Sequence, residues 1–372
     1  MLLKQTSALP LIDNFAVQVQ LRIFSNGTDY SAFVSTDLDK WHRFHIGLKP
    51  HDVQELNSEL QLAIEQVSTA FEVNGAYGEA LANLAQKGNY AFKRIFADGI
   101  PRETIRNALR TDATIQFSSE DFFIPWELLY DGPLGSQVDV SHFWGMKHIV
   151  SRALIQDARP GDLESPIIRS ACPHVGLIAC SELEHVIGKE IPALEELHRQ
   201  KRILLLPLRP LDANQRDQEL EYLGHFLRTE DLQIVHLACH ALEMKPVSQS
   251  YLLVSDKFTI SIEDFFVREI EIKYKPFIIL NACLTGTISP LHTSNWAALF
   301  WEHGARGVLA TEFHVPDWFA ADFSKELYEQ LLAGKPIGEA ILIVRRHLWE
   351  EQRNPLGLAY ALYASPSIRI IQ

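Results

Sequence analysis

The sequence predicts an α/β protein: a mostly parallel sheet of about six strands with helices on both faces, over residues 166–372, preceded by a smaller α+β domain over 1–165. Three observations carry that reading. Beyond about residue 174, short apolar runs alternate with amphipathic stretches, the pattern of parallel strands covered on both faces. Before about residue 100, a period-two pattern is followed by two long helical stripes. The chain has 372 residues, 47% of them hydrophobic, which at roughly 150 residues per domain fits two domains with adequate cores.

The elements follow in order. Phe15, Val17, Val19, Leu21 and Ile23 alternate with polar neighbours, Asn26-Gly27 interrupts, and Tyr30, Ala32 and Val34 resume, which reads as a hairpin closed by a type I′ turn. Val53, Leu56, Leu60, Ile64, Val67 and Phe71 recur at steps of three and four, one apolar stripe on a helix of about twenty residues. A second helix is expected from Tyr77 to Phe96, ended by Gly99-Ile100-Pro101. To about 165, short strands mix with the run FFIPWELLYDG at 122–132. The later strands are HVGLIAC (174–180), RILLLPL (202–208), LQIVHLAC (232–239), PFIILNAC (276–283) and ARGVLAT (305–311), with a sixth near 357–363. Helical patterns occupy 190–200, 215–228, 294–303, 317–333 and 336–350.

Composition narrows the function classes. With 34 Lys and Arg against 47 Asp and Glu, the net charge is −13, and no run of five basic residues offsets it. Direct nucleic-acid binding and attachment to anionic lipid are therefore not expected. No stretch of about 18 apolar residues could span a membrane, and the opening MLLKQTSALPLIDNF is too broken for a secretory signal. The cysteines at 172, 180, 239 and 283 form no CxxC pair, so reduced thiols in a cytoplasmic protein are expected. The sequence contains no GxGxxG after a strand, no GxxxxGK[ST] and no GxSxG, so no cofactor is expected.

In open parallel sheets the working groups lie beyond the carboxyl ends of the strands. LQIVHLAC ends at Cys239-His240-Ala241 and PFIILNAC ends at Asn281-Ala282-Cys283. On neighbouring strands, roughly 5 Å apart, an imidazole and a thiol at these tips come within reach of each other. A free thiol with pKa about 8.5 is only a few per cent thiolate at neutral pH, and an adjacent base supplies the missing activation. His240 would take the Cys283 proton and return it to the leaving amine, while the backbone N–H groups of Cys283 and Ala241 would hold the oxyanion. The alternative for each residue is structural: a strand-end cysteine is often a small core hydrophobe, and a strand-end histidine a hydrogen-bonded one. A metal reading of His236, Cys239 and His240 fails on the pleat, which puts Cys239 on the opposite face from the histidines, so no metal is expected.

These landmarks resemble the CHAT peptidases, caspase-like cysteine proteases related to separase and the caspases. The likeness includes Val235 to Ala241 around the histidine, the interlude YLLVSDKFTISIEDFFVREIEI, LNACLTG at 280–286, and WAALFWEHGARGVLATEFHVPDWFAADFSKELYEQLLAGKPIGEAI. FIPWELLYDG is similar to the family's entry motif and PLGLAYALYASP to its final strand. The resemblance implies a caspase-like sheet, His240 as base, Cys283 as nucleophile, and limited endopeptidase cleavage through a thioester. It also implies a protein substrate, an activating or sensor protein in trans, and a regulated pathway such as bacterial defence, with a gasdermin-like pore former as one target. The first 165 residues would be regulatory or pseudo-caspase-like.

Two positions depart from the family: Ala241 stands where Gly is usual, and Phe313-His314 where Trp-Pro is common. In this fold the pocket for the residue before the scissile bond would be framed by Glu182 and Glu184, Asn281, and Glu312 with Asp317, favouring Arg or Lys there. The same acids could instead be solvated helix-start residues. The rival function is a catalytically silent binding module of the same fold in a sensing complex. The sequence sets no oligomeric state.

Overall fold

A computed structural model describes residues 17–37, 40–72, 76–109, 112–135, 137–153, 166–255, 257–283 and 290–371. The amino-terminal alternation forms β1 (Val19–Ser25) and β2 (Tyr30–Asp37), an antiparallel pair with Val19, Leu21 and Ile23 buried. Phe15 and the opening segment lie outside the described residues. The connecting loop departs from the expected type I′ turn, since Ser25 pairs with Tyr30 and leaves four residues between them. Asn26 Oδ1 accepts the N–H groups of Thr28 (3.0 Å) and Asp29 (2.9 Å), and within the loop Gly27 alone is left-handed. Asparagine here closes the loop through its side chain rather than through its own φ.

A strand not singled out above, β3 (Lys40–Ile46), extends the sheet antiparallel to β2. The two expected helices are α1 (Pro50–Glu72) and α2 (Tyr77–Ile95). Gly99-Ile100-Pro101 does more than end α2. Gly99, at φ 90°, caps α3 (Ile100–Ala108), and Pro101 sits in its first turn, where a missing N–H breaks no helical bond. β4 (Thr114–Ser119) runs parallel to β1, and after α4 (Trp144–Lys147), β5 (Ile149–Ala153) runs parallel to β4, giving the order β3-β2-β1-β4-β5. Gly88 in α2 lets FFIPWELLYDG pass close by, since a Cβ there would overlap the Leu128 carbonyl.

The second half contains β6 (Ile167–Arg169), β7 (His174–Ala179), α5 (Ile191–Arg199), β8 (Leu204–Pro207), α6 (Arg216–Leu227) and β9 (Leu232–Leu242). The hairpin of β10 (Tyr251–Ser255) and β11 (Phe258–Ser261) follows, then α7 (Ile262–Val267), β12 (Phe277–Cys283), α8 (Pro290–Glu302) and β13 (Gly307–Thr311). The chain closes with α9 (Asp317–Leu332), α10 (Ile337–Gln352), β14 (Tyr360–Tyr363) and β15 (Arg369–Ile371). The six expected strands line up as β8-β7-β9-β12-β13-β14, the first five parallel and β14 antiparallel. The β10–β11 hairpin adds to the carboxyl end of β9, opposite His240 to Leu242. β15 pairs with β6 in a separate two-stranded ladder.

The pleat of β9 sorts its residues between two cores. Val235, Leu237, Cys239 and Ala241 pack with apolar residues of α6, α7 and α8. Ile234 and Ala238 face the other way, into a core shared with α5, α9 and α10 that continues into the amino-terminal sheet.

A buried ionic cluster crosses between the two halves. Arg152 of β5 grips Glu127 of FFIPWELLYDG with two bonds, 2.8 and 2.6 Å, and reaches Glu312, just after β13, at 3.0 Å. Glu312 also accepts the Tyr363 hydroxyl at 2.6 Å. Arg345 of α10 donates to the carbonyls of Gly357, Gly145 and Tyr360 and lies 3.5 Å from Glu127. Burial pushes the Glu312 carboxyl up to about 7 against the pull of Arg152. Burial likewise works against the Arg152 charge, but Glu127 and Glu312 overcome it and hold the guanidinium above its ordinary range.

Replacing Arg152 by Met should leave two buried carboxylates short of a partner and lower unfolding free energy by about 3–5 kcal/mol in denaturant titration. A loss below about 1 kcal/mol, the worth of an exposed pair, would show that the cluster does not join the halves.

His148 offers a second test. It is fully buried, neither ring nitrogen has a hydrogen-bond partner among the described residues, and burial beside Lys147 pushes its imidazole down to about 4. A depressed histidine favours the fold above its unfolded pKa of about 6.5 and loses that contribution as pH falls toward 4. Between pH 7 and pH 4 the wild type should lose about 3 kcal/mol more than His148→Leu. Equal acid slopes in the two proteins would contradict this.

Candidate active site

Seven consecutive pairs align β12 with β9, from Phe277 beside Ile234 to Cys283 beside His240. The two strand tips singled out in the sequence are therefore direct neighbours in a parallel ladder. His240 is half-buried, and Cys283 is placed here by its backbone pairing. Leu284, Thr285 and Gly286, which follow it, lie outside the described residues.

The third strand, β7, brings a further set of groups to the same end of the sheet. The N–H of Cys180, one residue past β7, donates to the Ala238 carbonyl at 2.8 Å, so the loop leaves the sheet alongside β9. Cys180, Glu182 and His240 bring a sulfur, a carboxylate oxygen and a ring nitrogen all within 4.8 Å of one another. Cys180 is buried and Glu182 exposed. Cys239 faces the opposite layer, where burial pushes its thiol up, so the set His236, Cys239 and His240 does not gather.

Below this end of the sheet lies a buried polar network that the sequence reading missed. His236 Nε2 is 2.8 Å from Glu190 Oε1, and Asn281 Nδ2 donates to the same oxygen at 2.6 Å. Asn281 also donates to the Ala320 carbonyl (3.1 Å) and accepts the Tyr360 hydroxyl (2.7 Å), while Tyr328 reaches His236 Nδ1 at 3.3 Å. Asn281 stands two residues before Cys283, and His236 four before His240, so the network sits directly beneath the two tips. Glu190 enters it from a π-helical turn, Val186–Glu190, that leads into α5. A signal was present: Val186, Glu190, Leu194 and Leu197 share one helical stripe, and all four are buried.

Several expected pocket residues are corrected. Asn281 is 1% exposed, with its amide committed to Glu190, Ala320 and Tyr360, so it lines no open pocket. Glu312, 2% exposed, is neutralised inside the protein by Arg152, so it offers no charge to a ligand. Phe313, where the family commonly has Trp, is fully buried in the core. Asp317, in the first turn of α9, accepts the His185 N–H at 3.0 Å and ties down the loop after β7. Glu182 and Glu184 remain exposed on that loop. Ala241 lies within β9 opposite Leu252 and is not among the residues with positive φ, so alanine carries no backbone strain where the family usually has glycine.

Asn281→Ala should cost about 2–4 kcal/mol in denaturant unfolding, because it deletes the shared donor to Glu190 and leaves the Tyr360 hydroxyl buried without its acceptor. A change under about 0.5 kcal/mol would mean that the network does not brace β12.

The CHAT domain model matches residues 111–367. Among solved structures, a chain of the Saccharomyces cerevisiae separase-securin complex at 2.6 Å resolution is similar with TM-score 0.52 and 11% identity, over 95% of this chain and 30% of that one. A second structure of that complex gives TM-score 0.46 at 10% identity, over 96% and 30% of the two chains. The Drosophila initiator caspase Dronc gives TM-score 0.32 at 7% identity, over 55% of this chain and 81% of that one. A search of curated protein sequences found no match. This chain thus spans 30% of the length of the first structural neighbour. With most of its length matched by the family model, the chain belongs to the CHAT domain family, and its fold is similar to that of the separase-securin complex chain.

Proposed function

We propose that this protein is a cysteine endopeptidase that cuts a protein substrate in a limited, regulated way through a Cys283–His240 dyad. The observation that carries the reading is the pairing of Cys283 with His240 at adjacent strand ends. In the reaction, Cys283 gives its thiol proton to His240 and attacks the scissile carbonyl carbon, forming a C–S bond. The backbone N–H groups of Cys283 and Ala241 stabilise the oxyanion. As the C–N bond breaks, His240 passes the proton to the departing amine and leaves a thioester. Water, deprotonated by His240, then attacks the thioester, and the proton returns to sulfur as the acid product leaves. The network on Glu190 supports this assignment by holding both strands in fixed register beneath the reacting groups.

The exposed carboxylates of Glu182 and Glu184 favour a basic residue before the scissile bond. Cleavage serves a regulated pathway, with activation by a partner protein and a defence effector such as a gasdermin-like pore former as target.

A panel of fluorogenic peptides varied at that residue tests the reading. The expected result is fastest cleavage after Arg or Lys, and a loss of at least 10³-fold in Cys283→Ala with an unchanged circular dichroism spectrum. Iodoacetamide at neutral pH should label Cys283 well ahead of the buried Cys239, and His240→Ala should slow that labelling. Cleavage that survives in Cys283→Ala would overturn the assignment, and equal slow labelling of all four cysteines would favour the silent binding module.

A further inference from the structure

We propose that Cys180, Glu182 and His240 form a binding site for a single Zn²⁺ ion that switches the peptidase off, an inference that rests on the dyad assigned above. A sulfur, a carboxylate oxygen and an imidazole nitrogen already lie within 4.8 Å of one another. With Zn–S near 2.3 Å and Zn–N and Zn–O near 2.0–2.2 Å, tetrahedral geometry sets the donors roughly 3.3–3.7 Å apart. Closing that gap asks little of the fold. Cys180 is held by its bond to the Ala238 carbonyl and His240 by the ladder of β9, while Glu182 is exposed on the loop and free to swing inward.

The donor chemistry selects the ion. Magnesium and calcium take oxygen ligands, whereas a thiolate with an imidazole and a carboxylate suits zinc. Three protein ligands leave a fourth position for water. Binding releases the Cys180 thiol proton to solvent, so it weakens as pH falls.

Inhibition follows from the valence of the imidazole rather than from keeping the substrate out. A neutral ring has one nitrogen that carries hydrogen and one with a lone pair. Whichever nitrogen ligates zinc, its lone pair is used and the other nitrogen can only donate. His240 then cannot accept the Cys283 proton. The sequence reading overlooked this set because it sought partners for His240 along its own strand, and the two that gather come from the loop after β7.

The test uses full-length Cys283→Ala, which removes the nucleophile as a competing zinc ligand. Isothermal titration with Zn²⁺ should show one ion per chain, bound at least tenfold more weakly after adding Glu182→Gln and no longer detectable after adding Cys180→Ser. Glu182 is exposed, so its substitution tests the site without disturbing the core. No binding to Cys283→Ala, or equal affinity in all three proteins, overturns the proposal. In the wild type, Zn²⁺ should inhibit peptide cleavage, EDTA should restore it, and the inhibitory concentration should rise at least tenfold in Glu182→Gln, each protein being referred to its own zinc-free rate because Glu182 also bears on substrate recognition. Inhibition with the same zinc dependence in that variant overturns the switch. If no peptide is cleaved at all, the peptidase reading fails while the titration still decides the metal site.

Discussion

The parallel register between β9 and β12 is the constraint on which the site depends. With Ile279 beside His236 and Cys283 beside His240, the odd-numbered positions of β12 share a face with the even-numbered positions of β9. A slip of one residue would put Ala282 beside His240 and turn Asn281 toward the opposite layer. Apolar matching enforces the register only in part, because Ile278, Ile279 and Leu280 are similar in size and both faces of the sheet are buried. The polar contacts supply the missing specificity. Glu190 accepts from Asn281 of β12 and bonds His236 of β9 through one carboxylate oxygen, and that arrangement closes in a single register. In a medium of low dielectric the mispaired alternative strands buried polar groups at a cost of about 1–3 kcal/mol each, which disfavours every slipped pairing.

A second polar centre acts over a longer range. Glu127 and Arg152 belong to the first half of the chain, and Glu312, Arg345 and Tyr363 to the second, yet their polar groups share one buried cluster. Glu312 directly follows β13, the neighbour of β12, so the cluster fixes the flank of the larger sheet opposite β9. The acid that resembled a pocket charge in the sequence is instead the far end of this clamp. The FFIPWELLYDG run has a physical task of the same kind: it delivers Glu127 to two buried guanidinium groups, Arg152, which it shares with Glu312, and Arg345, which has no other carboxylate in an ion pair among the described residues.

Much of the architecture was legible because it rests on local periodicity. Six of the eight strands of the larger sheet and its main helices fall where apolar runs and helical stripes place them, since those patterns reflect burial on one or both faces. The pairing of positions 240 and 283 was legible for a topological reason, since both lie at the carboxyl ends of adjacent apolar strands. What escaped were contacts set by tertiary geometry: the pairing of Glu312 with Arg152, the convergence of Glu190 on Asn281, and the approach of Glu182 to His240. An acidic residue near a strand tip looks the same in sequence whether it faces solvent or a buried arginine. The distinction rested on Arg152, whose strand lies outside the larger sheet. Glu190 differed, since its place on a buried helical stripe marked it as an inward-facing acid. The hairpin turn was misread because Asn-Gly serves a two-residue turn and an Asx loop equally well, and the length of the loop decides which forms.

The shared core and the shared ionic cluster also bear on what the first half of the chain does for the second. Residues 166–372 taken alone would keep Glu312, Arg345 and Tyr363 but lose Glu127 and Arg152, leaving Arg345 without its carboxylate partner and Glu312 without its guanidinium. The apolar surfaces of α9, α10 and β14 that join the amino-terminal sheet would be opened to water at the same time. Both losses fall on the flank of the sheet that β13 and β14 build, two strands from His240. The amino-terminal sheet is thus part of the structure that holds β13 and β14 in place. Loosening its grip on Arg152 would release Glu312 at the end of β13, the strand paired with β12.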